Sequence, residues 1–188
     1  MIVSVDETNL SQAATIHSIS WRESHRSFCA PDFVEKHTPK RQQEYLQNKM
    51  NNAARIYMLV DEEPVGIVSV TKSMIEDLYV LPDRQNKGYG TALLEYATSQ
   101  CTETPTLWIL ENNSEAKRFY NKRGFKETGR RATIDKGLDE IELALTAVYP
   151  TKYINDLRRE ARENEERIAI GEQAVFDSVD DLFASLEK

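Results

Sequence analysis

The sequence predicts an α/β (α+β) domain with a charged helical extension behind it, and three stretches carry that prediction. Residues 75–93, IEDLYVLPDRQNKGYGTAL, pass from a buried-strand pattern (Ile75 to Val80) through a break at Leu81-Pro82-Asp83 and a glycine-punctuated turn into an apolar-periodic helix from Thr91. Ahead of it, Ile56 to Val60 and Val65 to Val70 read as strands joined by an acidic turn, Asp61-Glu62-Glu63-Pro64, which makes Ser73 to Val80 the third strand in succession. Behind it, Ala116, Phe119, Tyr120 and Arg123 fall at i, i+3, i+4 and i+7, the period of a helix.

Taken in order, Ile2 to Val5 alternates like a short strand, and Thr8-Asn9 caps a helix with apolar residues at Leu10, Ala13, Ala14, Ile16, Ile19 and Trp21. Pro31 and Pro39 bracket a loop, and Pro39 starts a polar helix that Asn51-Asn52 ends. After the three strands, the helix from Thr91 reaches about Gln100, and Thr106 to Leu110 is a buried strand. Asn112, Asn113 and Ser114 compete to cap the next helix, Gly124 closes it in a left-handed conformation, and Phe125 opens a strand. Two further strands, Lys126 to Ile134 and Glu140 to Thr146, turn at Lys136-Gly137. Pro150 marks the expected boundary between a domain of residues 1–149 and an extension of residues 150–188.

Composition narrows the function. With 29% charged residues and a net charge of −7 over 188 residues, the chain lacks the basic footprint of a nucleic-acid binder and suits a small-molecule or cationic partner. Cys29 and Cys101 are the only cysteines and have no metal-ligand spacing, so no metal site is expected. No run approaches the ~18 apolar residues of a membrane span, and MIVSVDETNL carries an acidic pair where a signal peptide is basic, which predicts a soluble, cytoplasmic protein.

The turn at 85–91 has a chemical reading of its own. A helix start leaves up to four N–H groups unpaired and carries partial positive charge, so its natural ligand is a phosphate, and glycines at 88 and 90 let a bulky anion approach main chain. A dinucleotide fingerprint fails at its third glycine, which is Leu93, and a Walker loop fails because no lysine follows Gly88 or Gly90.

What remains, Gln85-Asn86-Lys87-Gly88-Tyr89-Gly90, resembles the Q/R-x-x-G-x-G/A loop of the GCN5-related N-acetyltransferases (GNAT). Downstream, Asn113, Ala116, Phe119, Tyr120, Gly124 and Phe125 are similar to that family's N-x-x-A-x-x-F-Y-x-x-x-G-F pattern. The resemblance covers about residues 1–147. It implies a mixed, mostly antiparallel sheet of about seven strands with flanking helices, and an enzyme moving the acetyl group of acetyl-CoA directly to a primary amine of a small molecule or peptide. It also implies that Gln85 to Thr91 bind the diphosphate through Gln85, Asn86, Lys87, Gly88, Tyr89, Gly90 and Thr91. The pantetheine arm would lie between splayed strands beside Leu78, Tyr79 and Val80, with Asn113 and Tyr120 also touching the cofactor.

Two catalytic roles follow from the same resemblance. A free alkylamine has a pKa near 10.4, so only about one molecule in a thousand is neutral at pH 7 and a base is needed. Glu76, a carboxylate within a strand, is the candidate base or else a strand-edge ion-pair partner; IEDLYV is similar to the corresponding strand of polyamine acetyltransferases. Tyr120 is the candidate acid that protonates the leaving thiolate. The stretch IHSISWRESHRSF resembles the first helix and loop of the family, so Trp21, His25 and Phe28 line the acceptor site or, on the plainer reading, Trp21 and Phe28 are core and His25 is solvated. Polyamine, antibiotic amine, amino acid, lysine and protein N-terminus all stay open as acceptors.

Residues 151–170 are rich in Arg and Glu, and Val179, Leu182, Phe183 and Leu186 then form a short apolar face. So short a helix needs a surface to cover, on its own domain, in a homodimer or on a partner. FDSVDDLFASLEK looks like the C-terminal end of RelB/DinJ-type antitoxins, which implies a toxin-like protein partner and an alternative reading in which the GNAT domain is a scaffold for that tail. Acetylation of aminoacyl-tRNA is disfavoured by the acidic balance.

Overall fold

The computed structural model describes residues 1–27, 29–135 and 138–146, all within the unit Met1–Val148. The antitoxin-like extension, residues 150–188, therefore lies outside the described residues, as does Phe28.

A seven-stranded sheet runs β1 (Ile2–Ser4), β2 (Arg55–Asp61), β3 (Glu63–Thr71), β4 (Met74–Val80), β5 (Thr106–Leu110), β7 (Leu138–Leu145), β6 (Phe125–Asp135). Every neighbouring pair is antiparallel except β4 and β5. That parallel pair meets only at Met74 and Thr106, closed by the Thr106 N–H on the Ser73 carbonyl at 2.9 Å. Past this point the edges of β4 and β5 separate, with no ladder between Ile75–Val80 and Leu107–Leu110 among the described residues.

Helices cover both faces. On one, Leu93, Leu94 and Ala97 of α4 (Tyr89–Gln100) pack with Phe119 and Tyr120 of α5 (Ser114–Asn121) on a core that includes Val68, Val70, Ile75, Leu107, Ile141 and Leu143. On the other, Leu10, Ala13, Ala14 and Ile16 of α1 (Leu10–His25) and Leu46 of α3 (Pro39–Asn51) pack on Ile56, Met58 and Ile67. Leu93 is fully buried, a contribution of about 1.5–3 kcal/mol. It reaches the sheet because residue 66 is glycine: a Cβ there would lie 2.8 Å from Leu93 Cδ1 and 2.8 Å from the Tyr79 carbonyl oxygen.

Three local expectations change. The stretch between Pro31 and Pro39 contains a short helix, α2 (Pro31–Glu35), started by Pro31 at a position where a missing N–H costs nothing. Helix α4 starts at Tyr89, so Gly90 is helical, and the left-handed residues of the turn are Asn86 (φ 62°) and Gly88 (φ 88°). The period of two expected along residues 74–80, which would set Glu76, Leu78 and Val80 on one face and Asp77 and Tyr79 on the other, also fails. Opposite β3, Glu76 pairs with Ser69 and Tyr79 with Ile67, so Asp77 and Leu78 together face one residue, Val68, and Asp77 takes φ 49°. This bulge turns Asp77 to the same side as Glu76.

Candidate active site

One cavity of about 580 Å³ occupies the opening between β4 and β5 and runs to the turn before α4. Its size is that of a small-molecule site. At the turn end it is lined by Gln85, Asn86, Gly88, Tyr89, Gly90 and Thr91, along the strand and α5 by Leu78, Tyr79, Val80, Asn113 and Tyr120, and at the far end, toward the start of β4, by Glu76 and Asp77; Ser20, Ser24 and His25 of α1 and Glu140 of β7 line it as well. Most of the candidates named from the sequence are brought together around this cavity. Lys87 and Trp21 are not among the lining residues.

The turn end is one short loop and a helix start. After the 3-10 turn Pro82–Arg84, Gln85 is extended, Asn86 and Gly88 are left-handed, and Gly88 is the N-cap of α4 without any side-chain cap bond. A turn with left-handed residues ahead of a helix start can present main-chain N–H groups to an anion. Gln85 Nε2 donates to the Val80 carbonyl at 3.2 Å and ties the turn to the end of β4.

Arg123 joins this end, a role that its helical spacing alone did not reveal. Its guanidinium lies 3.7 Å from the Phe119 ring centroid, donates to the Phe119 carbonyl at 2.8 Å and to Thr91 Oγ1, and leaves its buried Nε without a partner among the described residues. A cation is thus fixed beside the first turn of α4.

In the middle, Asn113 is the N-cap of α5, its Oδ1 accepting from the Ala116 N–H at 3.0 Å. Tyr120 packs edge-on to Phe119 (5.1 Å between centroids) and Phe125 (5.8 Å). Burial pushes its phenol well above the usual range, and the Arg123 charge only partly opposes this, so it stays protonated at any neutral pH. Tyr79 is pushed up as well, by burial first and then by the charges of Asp77 and its neighbours, Glu140 among them.

At the far end the bulge at Asp77 builds a polar cluster. Asp77 accepts from Lys49 Nζ (2.5 Å), Ser69 Oγ (2.7 Å) and Tyr45 Oη (3.1 Å), and lies 3.2 Å from His17 Nε2. Burial alone would raise its carboxyl; the His17 hydrogen bond and the Lys49 charge outweigh that and hold it far below the ordinary range. Lys49 is held correspondingly high, Asp77 overcoming the cost of burial, and burial beside Asp77 pushes Tyr45 up to about 12. Glu76 is more open, its side chain 32% exposed against 10% for Asp77, with Lys49 Nζ at 3.1 Å and Thr71 Oγ1 donating at 2.8 Å.

The α1 residues divide. His25 lines the cavity with Nδ1 2.9 Å from the Trp21 carbonyl, which makes Nδ1–H the donor and leaves Nε2 as the basic nitrogen. Burial lowers its pKa. Trp21 sits behind it, one face stacked on His25 (4.0 Å, 5°) and the other on His37 (3.4 Å, 12°). Both faces of the indole are therefore occupied.

The Asp77 cluster is not legible in the sequence. Its signals were a histidine at an apolar position of α1, His17, and a lysine in α3, Lys49, and nothing in the sequence ties either to β4.

Residues 52–127 match the acetyltransferase (GNAT) domain family. A curated relative, the peptidyl-lysine N-acetyltransferase YjaB of Salmonella typhimurium, is 37% identical over 76 residues, 40% of this chain and 52% of its own length. The chain thus spans about half of that relative. The solution structure of apo YjaB from Escherichia coli superposes with a TM-score of 0.59 at 24% identity, covering 79% of this chain and 98% of YjaB. The PaiA N-acetyltransferase of Thermoplasma acidophilum, solved with coenzyme A, gives 0.57 at 18% identity, covering 76% and 96%. The described residues have the GNAT fold, and residues 52–127 match its acetyltransferase domain.

Proposed function

We propose that this protein is an acetyl-CoA-dependent N-acetyltransferase that moves the acetyl group directly to a primary amine of a small molecule or a peptide, a lysine side chain included. The observation that carries the reading is the single cavity that joins a left-handed, main-chain anion turn to the opening between β4 and β5. A diphosphate fits the turn and the helix start. A pantetheine arm, which has amides of its own, fits between two strand edges that lack ladder partners among the described residues. The domain match and the PaiA complex with coenzyme A support the same cofactor, and the YjaB name supports a lysine among the acceptors.

In this reading the amine nitrogen attacks the thioester carbonyl, a C–N bond forms, and the tetrahedral intermediate collapses with cleavage of the C–S bond. Glu76 takes the proton that the nitrogen loses, directly or through water. Tyr120, protonated at neutral pH, donates to the departing sulfur. His25 lines the acceptor end, with Trp21 holding its ring from behind. No helix among the described residues is long and apolar enough to cross a membrane, and a cytoplasmic location completes the proposal.

Calorimetric titration of the full chain with acetyl-CoA and desulfo-CoA tests the cofactor assignment. Binding of both within the usual substrate range, about 1 μM–1 mM, is expected. No heat and no competition at millimolar concentration would overturn it.

A further inference from the structure

Glu140 lies on β7 directly opposite Leu110 of β5 and Ala132 of β6. Its neighbour Ile141 and the next alternate residue, Leu143, are buried in the core beneath α4 and α5, so alternation sends Glu140 to the other face of the sheet. There it lines the same cavity as Glu76, Asp77 and His25.

These carboxylates differ in their partners. Asp77 is matched by Lys49, and Glu76 shares the same lysine. None of the hydrogen bonds or ion pairs among the described residues reaches the Glu140 carboxylate, which burial pushes above its ordinary range. Among the described residues the cavity is lined by four carboxylates, Glu76, Asp77, Glu115 and Glu140, against Arg123, with Lys49 paired behind Glu76 and Asp77, so its charge balance is anionic.

A primary amine reaches the cavity almost entirely as its ammonium ion, given its pKa near 10.4. Entry strips water from that cation, and a carboxylate without a protein counter-ion restores the lost interaction.

We propose that Glu140 is the docking carboxylate for the acceptor, pairing with its ammonium group before Glu76 takes the proton, and that the acceptors are accordingly cationic amines. This rests on the acetyltransferase reading. Glu140 is thus a specificity residue, separate from the bond-making steps.

The test uses the full chain with Glu140→Gln and Glu140→Asp, and two probes, spermidine and a lysine blocked at both its α-amino and carboxyl groups. Acetyl-CoA affinity is measured first, then amine binding to the CoA-saturated protein, then KM and kcat by thiol release. Loss of one charged hydrogen bond predicts that Glu140→Gln raises the amine Kd and KM about 10- to 100-fold. Acetyl-CoA affinity and kcat should stay within about 2-fold, and Glu140→Asp should recover part of the loss. Unchanged amine Kd and KM, or a fall in kcat alone, would overturn the docking role while leaving the acetyltransferase reading in place. Acetyl-CoA binding by the wild type with no binding of either amine would do the same. Failure of the wild type to bind acetyl-CoA would overturn both.

Discussion

At the turn end the cavity lining comes from one short stretch, Gln85, Asn86 and Gly88 to Thr91, whereas the rest draws on separate elements, α1, β4 and β7 among them. In the proposed reading the turn end works through dihedral angles and helix-start N–H groups, so most of its side chains are replaceable. The far end works through individual charges, each with its own partner, so single atoms matter there. The difference also separates two adjacent carboxylates: Asp77 is locked among four donors, while Glu76 is a third exposed and faces the ligand space.

The largest expected effect follows from that contrast. Truncating one partner of a buried ion pair costs about 3–5 kcal/mol, so Lys49→Met or Asp77→Ala should lower the urea midpoint sharply, while Glu76→Gln leaves it nearly unchanged. Asp77 titrates far lower folded than the roughly 3.9 of an unfolded chain. Its stabilisation is therefore complete above about pH 5 and is lost as pH falls through the unfolded value toward the folded one. The stability gap between wild type and Asp77→Asn should hold from pH 7 to about pH 5 and narrow below about pH 4.

Next in size is the effect on rate. Removing a positioned acid or base typically costs about 10²-fold or more; Tyr120→Phe and Glu76→Gln should each lower kcat by at least about that factor, with acetyl-CoA affinity retained, as read by thiol release and calorimetry. Full turnover by both variants would remove these two residues from the mechanism.

Packing comes third. Gly66→Ala drives a methyl against Leu93 and the Tyr79 carbonyl, an overpacking cost of about 1–3 kcal/mol that thermal melting would report. Smallest is the turn itself. At Gly88 a Cβ meets no atom within 4 Å, so only the φ of 88° opposes a side chain. Gly88→Ala should cost about 1–2 kcal/mol, expressed as weaker acetyl-CoA binding, whereas Lys87→Ala at an exposed position should shift it little.

The same contrast explains what the sequence disclosed. The strand, turn and helix around Gly88 are contiguous, and both the periodicity and the glycines survive in a linear reading, so these local elements are legible, whereas the opening between β4 and β5 is legible only through the family resemblance. Gly124 behaved likewise, taking φ 89° at the end of α5. The far end was legible only in Glu76 and His25. Asp77 reaches its cluster through a bulge set by how β3 registers against β4, and a register is a property of two segments at once. Lys49 and His17 arrive from helices that are local in sequence to neither strand, and Glu140 is recognisable only once β7 is seen beside β5. Residues whose role depends on long-range pairing carry no signal in their own neighbourhood.

The most direct test of the account is amine-dependent thiol release from acetyl-CoA by the full chain, with the product weighed by mass spectrometry. Spermidine, the blocked lysine and a short peptide with a free N-terminus would serve as acceptors. The account predicts one N-acetylated amine for each thiol released with at least one of them, and loss of both signals together in Tyr120→Phe. Acetyl-CoA binding without thiol release above the amine-free background for any of the three would contradict it.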